Sequence, residues 1–264
     1  MDLQLKNKTA FISGSTQGIG FAIAQGLLAE GAAVIINGRT QQRVDQAVKE
    51  LKAKYPAATV SGIPADFSKV ADINKLLQQL PDIDILVNNA GIFEPKAFTE
   101  ITDEDWLRFY EINVLSGVRL SRHFFPKMLA KNWGRIIFIS SESAINIPEE
   151  MIHYGMTKTA QLSISRGLAE LTKGTGVTVN SVLPGPTKSE GVEEFVKQIA
   201  TVQKVTPQEA EQNFFKTARP TSLLQRFATV EEVANLVTYV ASPLSSATNG
   251  TALRVDGGVA KLIL

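Results

Sequence analysis

The stretch TAFISGSTQGIG, residues 9–20, decides how the chain begins to fold. Its start, TAFIS, is apolar and β-branched, which predicts a short buried strand. Three glycines follow with the spacing G-x-x-x-G-x-G, and glycine lets the backbone turn tightly and approach a bound group. The pattern after Gly20 predicts a helix, whose first N–H groups favour a phosphate. Glycines alone usually mean only a turn, but their position between a strand and a helix favours a nucleotide-binding loop.

The same alternation of short apolar runs and longer helical patterns continues along the chain. The predicted strands are 9–13, 33–37, 59–63, 83–88, 135–140, 177–184 and 251–255, and the predicted helices are about 18–30, 40–54, 69–80, 103–130, 152–173 and 230–241. Capping-box patterns at Thr102–Asp105 and Thr229–Glu232 mark two of the helix starts. Most strands are apolar on both faces, which is typical of parallel strands inside a sheet. The pattern predicts an α/β fold with one doubly wound parallel sheet of the Rossmann type.

Composition excludes several classes of protein. The 264 residues are 44% hydrophobic and 20% charged, and the net charge is +1. This balance is typical of a soluble globular protein and gives no broad surface for nucleic acid. The absence of cysteine excludes disulfides and thiolate catalysis. With two histidines, His123 and His153, a histidine-rich metal site is not expected.

The sequence also indicates the cellular location of the protein and whether it contacts a membrane. The N-terminal residues lack the basic start and long apolar core of a signal peptide. No run reaches the roughly 18 apolar residues that a membrane span needs, so no membrane partner is expected. A cysteine-free chain fits a reducing compartment, and we expect a cytoplasmic protein.

A helical insert, about 186–226, interrupts the strand–helix rhythm of what we expect to be a single domain, 1–264. Its first helix carries an apolar stripe, and Thr206–Glu209 begins a second helix with proline in its first turn. An insert after the carboxyl end of a strand suits a lid over a binding cleft. A decorative subdomain or an oligomer contact is the alternative. The apolar residues expected on the lid are Val192, Phe195, Val196, Ile199, Phe214 and Phe215, of which the last two are expected to be exposed.

The end of the second strand bears on the choice of cofactor. An acid there would accept hydrogen bonds from the adenosine ribose and indicate NAD. The chain instead has Asn37, Gly38 and Arg39, and a guanidinium suits the 2′-phosphate of NADP. NADP(H) is therefore favoured, NAD(H) remains possible, and a solvated Arg39 is the alternative. Asp66, just past the third strand, is expected either to accept from the adenine amino group or to cap a helix.

Polar and small residues at the next strand ends indicate where chemistry takes place. Asn89, Ala90 and Gly91 end the fourth strand and allow a nucleotide to come close. Ser141 ends the fifth, and Tyr154 and Lys158 follow on a predicted helix. The i, i+4 spacing puts the last two on one helix face. Free tyrosine titrates near roughly pH 10, and a neighbouring ammonium lowers that pKa. We therefore expect a phenol used as a proton donor; the alternative is a surface pair on an amphipathic helix.

At this point the sequence resembles the classical branch of the short-chain dehydrogenase/reductase family. The resemblance extends from about residue 8 to 258 and keeps the order and spacing of the family. The residues and motifs on which the resemblance rests are G14-x-x-x-G18-x-G20, N88-N89-A90-G91, Asn113, Ser141, Y154-x-x-x-K158, P184-G185 and D256-G257-G258.

The resemblance implies roles for these residues. Tyr154 would be the catalytic acid or base, and Lys158 would bind the nicotinamide ribose and lower the pKa of the tyrosine. Ser141 would hydrogen-bond the substrate oxygen, and Asn113 would hold a water that passes protons onward. The residues expected to bind the cofactor are Gly14, Ser15, Thr16, Gln17, Gly18, Ile19, Gly20, Arg39, Asp66, Asn89, Ala90, Gly91, Tyr154, Lys158, Pro184, Gly185 and Thr187.

The resemblance also implies a homotetramer, or a dimer. Helices 103–130 and 152–173 would pack across one two-fold axis, and the strand and apolar tail 251–264 across another. An exposed apolar tail of this kind favours a partner.

The expected activity is NAD(P)-dependent transfer of a hydride between nicotinamide and a small carbonyl or secondary alcohol. One alternative is a 3-oxoacyl-thioester (acyl carrier protein) reductase, for which the basic residues Arg122, Arg166 and Lys173 are present but scattered. The other is a nucleotide-sensing module without catalysis. Glu149, Glu150, Met151 and Ile152 are expected on one wall of the cleft, with Lys188 and Arg219 adding charge from the insert. His153 is expected at the surface or on the cleft wall.

Overall fold

The computed structural model describes residues 1–263 and, for Phe195, the backbone only. Its strands are β1 (Thr9–Ile12), β2 (Ala33–Gly38), β3 (Val60–Pro64), β4 (Ile85–Asn88), β5 (Gly134–Ile139), β6 (Val177–Pro184), β7 (Thr187–Lys188), β8 (Ala228–Thr229) and β9 (Ala252–Val255). Its α-helices are α1 (Gly18–Ala29), α2 (Gln41–Lys54), α3 (Val70–Gln79), α4 (Asp103–Tyr110), α5 (Ser116–Ala130), α6 (Ile152–Glu170), α7 (Glu190–Gln203), α8 (Pro207–Thr217) and α9 (Val230–Ala241).

Seven of these strands form one sheet in the order β3-β2-β1-β4-β5-β6-β9, and every neighbouring pair is parallel. All residues of β4, β5 and β6 are buried, which explains why apolar residues occur on both faces of these strands, although Arg135 and Asn180 are buried among them. One apolar cluster lies between the sheet and helices α1, α2 and α9, and a second lies under α3, α5 and α6. The predicted doubly wound α/β sheet is confirmed.

The chain leaves β1 toward β2 and returns across the sheet to β4. Neighbouring crossovers on the two sides of β1 therefore lead to opposite faces of the sheet, and a crevice opens at the carboxyl ends of the strands. This crevice is the place where the expected site residues meet.

One helix prediction needs correction. The pattern over 103–130 predicts one continuous helix, but a π-helical turn, Glu111–Leu115, separates α4 from α5. Such a turn breaks the regular ladder of backbone hydrogen bonds and frees carbonyl groups for other partners. The buried side chain of Asn113 and its main-chain carbonyl both bond residues outside this helix, which gives the interruption a physical cause.

The helical insert consists of α7 and α8 and lies between the short parallel strands β7 and β8. The predicted start of the second helix is confirmed, because Thr206 and Glu209 form a capping box there. The insert has its own small core, made by Val196, Ala200, Ala210, Phe215 and Phe227.

The expectation that Phe214 and Phe215 are exposed needs correction. Phe215 is only 2% exposed, and Phe214 is half-buried and stacks on Phe227 with 5.2 Å between the ring centroids. The Phe215 ring belongs to the core of the insert, and the Phe214 ring packs against that core. The expectation for the side chain of Phe195 lies outside the described residues.

Two further features concern membranes and the tail. Within residues 1–263, the helices are all too short or too polar to cross a membrane. Arg254 Nη1 donates to the carbonyls of Ala260 and Leu262, which holds the segment after β9 against the sheet edge. Leu264, part of the expected apolar tail, lies outside the described residues.

Candidate active site

A cavity of about 920 Å³ opens at the carboxyl ends of β4, β5 and β6. The first turn of α6 forms one side, and the helical insert covers another through Ile199, Ala210 and Phe214. The described groups of histidine, cysteine, aspartate and glutamate include no cluster that could hold a metal ion.

The glycine turn packs tightly against the end of β4. Gly14 has φ +61°, which is left-handed backbone that favours glycine. A Cβ at Gly14 would lie 3.0 Å from Ala90 Cα, and one at Gly20 would lie 2.5 Å from Asn89 Nδ2. Side chains at these two positions would push the turn away from the crevice, so the spacing of the glycines has a steric reason.

Polar side chains hold the turn in place. Ser13 Oγ accepts hydrogen bonds of 3.0 Å from the N–H groups of both Asn89 and Ala90. Asn89 Nδ2 donates to the carbonyls of Ser13 (3.0 Å) and Gly14 (2.8 Å). Asn37 Oδ1 accepts from the N–H of Gly14 at 3.0 Å. Asn89 thus positions the turn, and sequence reasoning missed Ser13 and Asn37, whose signal was a polar residue at the end of a buried strand.

Ser15 also acts inside the turn. Its buried hydroxyl donates to the carbonyl of Ile12 at 2.7 Å and accepts from the N–H of Asn37 at 2.9 Å. Both connections join the turn to the sheet. The Ser15 side chain is therefore committed to the protein, and its backbone N–H also donates to the carbonyl of Asn37 at 2.7 Å.

The first turn of α1 remains open. Gln17, the residue before the helix, makes no side-chain capping bond within the described chain. The first N–H groups of α1 therefore keep their capacity to bind an anion. Thr16 packs on Gly38, where a Cβ would lie 2.5 Å from Thr16 Cγ2. This contact brings the turn next to the end of β2 and to Arg39.

Arg39 is exposed and has no ion-pair partner among residues 1–263. Asp66 Oδ1 accepts from the N–H of Ser68 at 3.0 Å and from its hydroxyl at 2.8 Å. Burial acts to raise the pKa of Asp66, but the bonds from Ser68 and the charges of Lys69 and Arg39 lower it overall. The expectation of a helix cap is wrong, since Lys69 precedes α3 and Asp66 closes a turn before it.

Ser141, Tyr154 and Lys158 meet in the cavity, as expected from the sequence. Ser141 follows β5 and its Oγ accepts from the N–H of Ser143 at 3.1 Å. Lys158 Nζ donates to the carbonyl of Ile139 at 2.9 Å and lies 5.5 Å from the centroid of the Tyr154 ring. The end of a strand and the first turns of a helix thus place a hydroxyl, a phenol and an ammonium around one space.

The electrostatics of this group differ from expectation. Burial raises the pKa of Tyr154 to about 12, although the Ser141 hydroxyl and the charge of Arg219 work in the opposite direction. Burial lowers the pKa of Lys158 to about 8. In the protein alone the phenol is therefore harder to ionise than free tyrosine, contrary to the expected lowering by Lys158. Desolvation is the largest cause, and the charge of Glu142 adds to it. Lys158 is not among the groups that lower this pKa, and its ammonium is directed to the Ile139 carbonyl.

Asn113 lies in the π-helical turn and is 1% exposed. Its Oδ1 accepts from the N–H of Ile92 at 2.8 Å, and its Nδ2 donates at 3.0 Å to both the Ile92 carbonyl and Thr157 Oγ1. Its main-chain carbonyl accepts from Gln161 Nε2 at 2.6 Å. These partners occupy the Asn113 side chain and leave one carbonyl lone pair for the expected water. Gln161 was missed because a glutamine inside a helix pattern gives no signal.

Pro184, Gly185 and Thr187 line the cavity beyond β6. A Cβ at Gly185 would lie 2.5 Å from the carbonyl oxygen of Asp256, so this glycine allows the end of β6 to pass the segment after β9. Thr187 Oγ1 donates to the Gly185 carbonyl at 2.8 Å. Gly91 lines the same cavity.

A buried ion pair lies beside the catalytic candidates. Arg219 Nε donates to Glu142 Oε1 at 3.3 Å, and Arg219 Nη1 donates to Glu150 Oε1 at 3.1 Å. All three residues line the cavity. Burial raises the pKa of Glu142, and the charge of Arg219 only partly offsets this effect. Sequence reasoning missed Glu142, although a charged residue within three positions of the end of buried β5 was a readable signal.

Three expectations about the walls need correction. Ile152 and Lys188 are not among the residues that line the cavity, and Lys188 Nζ lies 3.5 Å from Glu211 Oε2 on the insert. His153 is 1% exposed, with its ring centroid 4.1 Å from that of Phe109. His153 is not among the residues that line the cavity. Packing against Phe109 buries its ring, although His153 is next to Tyr154 in the sequence.

Comparison with known proteins relates this arrangement to others. The family model of the short chain dehydrogenases matches residues 8–200. The uncharacterized oxidoreductase YvaG of Bacillus subtilis (strain 168) is 51% identical over 263 residues, which cover 100% of both chains. The 3-oxoacyl-[acyl-carrier-protein] reductase FabG of Aquifex aeolicus (strain VF5) is 32% identical, over 98% of this chain and 100% of that protein.

A solved structure agrees with the fold over the whole chain. The L-sorbose reductase of Gluconobacter frateurii, in complex with NADPH and L-sorbose, superposes with a TM-score of 0.93. The two proteins are 30% identical, and the match covers 100% of each chain.

Proposed function

This chain belongs to the short-chain dehydrogenase family of oxidoreductases, and on this premise we propose that Tyr154 exchanges a proton with a carbonyl or secondary alcohol. A nicotinamide cofactor, when bound, supplies or takes up the hydride. The observation that carries the proposal is the meeting of Ser141, Tyr154 and Lys158 in one cavity. That cavity adjoins a glycine turn with an open helix terminus.

The residues of the crevice fit such a cofactor. Gly14 and Gly20 leave space that a Cβ would fill, and the uncapped α1 suits a pyrophosphate. Gly91 and the edge formed by Pro184, Gly185 and Thr187 face the catalytic candidates and would hold the nicotinamide end. The helical insert would cover the bound substrate as a lid.

The charge states suit reduction of a carbonyl. A phenol with a pKa of about 12 stays protonated at neutral pH, as a proton donor must, but this pKa lies well above the value near the operating pH that favours proton transfer. Lys158, with a pKa of about 8, is still mostly cationic at pH 7, and its charge would stabilise the phenolate left after proton transfer. Ser141 would hold the carbonyl oxygen next to the phenol.

The test is oxidation of NADPH and NADH, side by side, against ketones, ketoses and ketoacyl thioesters. Turnover of at least one carbonyl class supports the proposal. Nucleotide binding without turnover of any compound would contradict it and favour a sensing module.

We also propose that the cofactor is NADP(H), read by Arg39. Replacing Arg39 with serine should lower kcat/KM for NADPH by about tenfold to a hundredfold, because a charge-assisted contact to the 2′-phosphate is lost. The value for NADH should change little, since that nucleotide has no such phosphate. Steady-state kinetics with both nucleotides measure the effect.

Arg43→Ser is the matched control. Arg43, like Arg39, is an exposed arginine, and it lies in the neighbouring helix α2. It should leave the ratio of the two nucleotides unchanged. A wild-type preference for NADH, or an equal loss for both nucleotides in Arg39→Ser, would refute the phosphate contact.

A thioester reductase is the second candidate because of the similarity to the FabG protein of Aquifex aeolicus. Three acidic side chains line the cavity, Glu142, Glu149 and Glu150, against the basic Lys158 and Arg219. These lining residues give no excess of positive charge that would attract an acidic carrier protein. Inhibition by such a carrier protein would reverse that judgement.

We further propose that the protein self-associates, as a tetramer or a dimer. Leu107 on α4 is 68% exposed, Leu171 after α6 is 64% exposed, and Ile263 in the tail is fully exposed. Apolar residues on these faces favour burial against a second copy. A monomer in light scattering at working concentration would refute this proposal.

A further inference from the structure

Two buried charges act on the Tyr154 phenol in opposite directions. The carboxylate of Glu142 raises the pKa of the phenol, and the guanidinium of Arg219 lowers it. Both side chains line the same cavity as Tyr154, and they are only 4% and 10% exposed. Water screens buried charges poorly, so each of them affects the ionisation of the phenol more than a surface charge would.

Glu142 is held beside the catalytic candidates by the chain itself. It follows Ser141 directly and begins the short turn Glu142–Ala144, in which the N–H of Ser143 donates to Ser141 Oγ at 3.1 Å. Burial raises the pKa of Glu142, while the charge of Arg219 and the Ser143 side chain favour the ionised carboxylate. A carboxylate in this place opposes the phenolate that Tyr154 becomes when it gives up its proton.

Arg219 brings the opposite charge from the helical insert. Its N–H donates to the Phe214 carbonyl at 3.0 Å, which ties its backbone to the last turn of α8. Its Nε donates to Glu142 Oε1 at 3.3 Å, and its Nη1 donates to Glu150 Oε1 at 3.1 Å. The pair of Arg219 with Glu142 therefore joins the insert to the segment that carries Ser141.

The two acids that pair with Arg219 differ in their exposure. The side chain of Glu150 is 41% exposed, whereas that of Glu142 is 4% exposed. Water can screen the charge of Glu150 without Arg219. Glu142 has no such screening, and removal of one partner from a buried pair leaves the other as an uncompensated charge. Without Arg219, that charge would act on Tyr154 in full.

Other charged groups near the phenol do not replace Arg219. The ammonium of Lys158 is directed to the Ile139 carbonyl at 2.9 Å and is not among the groups that lower the pKa of Tyr154. Asp256 adds negative charge on the side of Glu142 and raises the pKa of that acid. Compensation of the buried carboxylate therefore depends on the guanidinium.

Building on the proposed function, on which this inference rests, we propose that Arg219 is a positioning residue that compensates the charge of Glu142 and thereby sets the pH at which Tyr154 exchanges its proton. The reaction itself is unchanged. In the oxidation of an alcohol, the hydroxyl proton passes to the Tyr154 phenolate, and the hydride passes from the carbon to the oxidised nucleotide.

The test is the pH dependence of kcat/KM for oxidation of the alcohol that corresponds to the best carbonyl compound in the activity assay. The rate should rise with pH as the phenolate forms. In Arg219→Met the midpoint of this rise should move up by about one pH unit, and in Glu142→Gln it should move down. Arg219→Lys should stay near the wild-type midpoint, because lysine keeps the positive charge.

The double variant Glu142→Gln/Arg219→Met separates charge compensation from packing. At a fixed pH below the midpoint, Arg219→Met alone should lose about tenfold in kcat/KM, since about one pH unit of displacement removes about nine-tenths of the phenolate. The double variant lacks both charges and should return to within about threefold of the wild type. Losses that add up, or an Arg219→Met variant that is slower with an unchanged midpoint, would overturn the inference, because Arg219 would then only hold the insert in place.

Arg226→Met is the matched control. Arg226 is also an ion-paired arginine, 2.8 Å from Glu232, but it is not among the residues that line the cavity. Its pH profile should equal that of the wild type. Thermal unfolding and nucleotide binding show whether each variant is folded. If Arg219→Met is not folded, Glu142→Gln decides, since a rate below the midpoint that does not exceed the wild-type rate overturns the inference.

Failure of the proposed function gives a different result. A wild type that oxidises no alcohol and reduces no carbonyl compound refutes the oxidoreductase proposal. The ionisation of Tyr154 is then followed directly by NMR of isotope-labelled tyrosine, with Tyr154→Phe to identify its signal. A signal that begins to shift at lower pH in Glu142→Gln than in the wild type supports charge compensation, and identical titrations overturn it.

Discussion

Tyr154→Phe is expected to reduce kcat for carbonyl reduction by a factor on the order of a thousand, since positioned proton transfer contributes about 10²–10⁴-fold. The substitution removes one hydroxyl and keeps the ring that contacts Phe93, whose centroid is 6.4 Å away. Nucleotide binding should remain near the wild-type level, because the glycine turn and Arg39 are untouched. The effect should therefore appear in kcat rather than in the affinity for nucleotide.

Single-turnover measurements with saturating nucleotide would separate these two quantities. Tyr239→Phe is a suitable control, since Tyr239 is a partly exposed tyrosine on α9 and should turn over normally. Near-normal turnover by Tyr154→Phe would exclude Tyr154 as the proton donor, and loss of nucleotide binding would show that the change had disturbed the crevice.

Lys158→Met is expected to make the protein more stable at pH 7 while it abolishes most of the activity. The pKa of Lys158 falls from 10.5 to about 8 on folding because the ammonium is buried. At about 1.4 kcal/mol per pKa unit this corresponds to about 3 kcal/mol of destabilisation at neutral pH. Methionine also loses the bond to the Ile139 carbonyl, which offsets about 1 kcal/mol. A net gain of about 2 kcal/mol in the free energy of unfolding remains.

The protonation states of Lys158 determine how the free energy of unfolding changes with pH. Below pH 8 the lysine is charged in both states, so the folded protein bears the full penalty. Between about pH 8 and 10.5 the folded protein releases the proton first, and stability from this group rises with pH. Tyr154 acts in the opposite sense above pH 10, since its pKa is raised to about 12 and the unfolded chain ionises first.

Denaturant unfolding of the protein without nucleotide, from pH 7 to 10, would measure this difference. Lys158→Met should lose the rise in stability above pH 8 that the wild type shows. Lys49→Met, on the exposed side of α2, should keep it. A destabilised Lys158→Met at pH 7 would mean that the ammonium is better solvated than the structure indicates.

The sheet could be predicted from the sequence because its strands are buried on both faces. The bounds of β6 and α9 coincide with the predicted ones, since β6 has β-branched and apolar residues on both faces and a capping box marks the start of α9. The helix over 103–130 was predicted without its π-helical turn. That turn depends on contacts of Asn113 with residues distant in sequence, and a local pattern does not contain them.

The residues of the candidate site also divide into those that could be predicted from the sequence and those that could not. Ser141, Tyr154 and Lys158 were found because strand ends and helix starts converge at one edge of a parallel sheet. Glu142 and Gln161 were missed, because their roles arise from partners such as Arg219 and Asn113 that lie far along the chain. The pKa of Tyr154 was expected to be lowered because spacing shows a neighbouring charge but does not show desolvation.

The position of β9 at the edge of the sheet has a consequence for biosynthesis. β9 pairs with β6, and the Gly257 carbonyl beyond it accepts from the N–H groups of Leu223 and Leu224, which follow α8. Until residues 252–258 have been synthesised, β6 remains an open edge, and Leu223 and Leu224 lack these backbone partners. The nascent chain therefore exposes a strand edge, which is a known aggregation hazard, until β9 pairs with it.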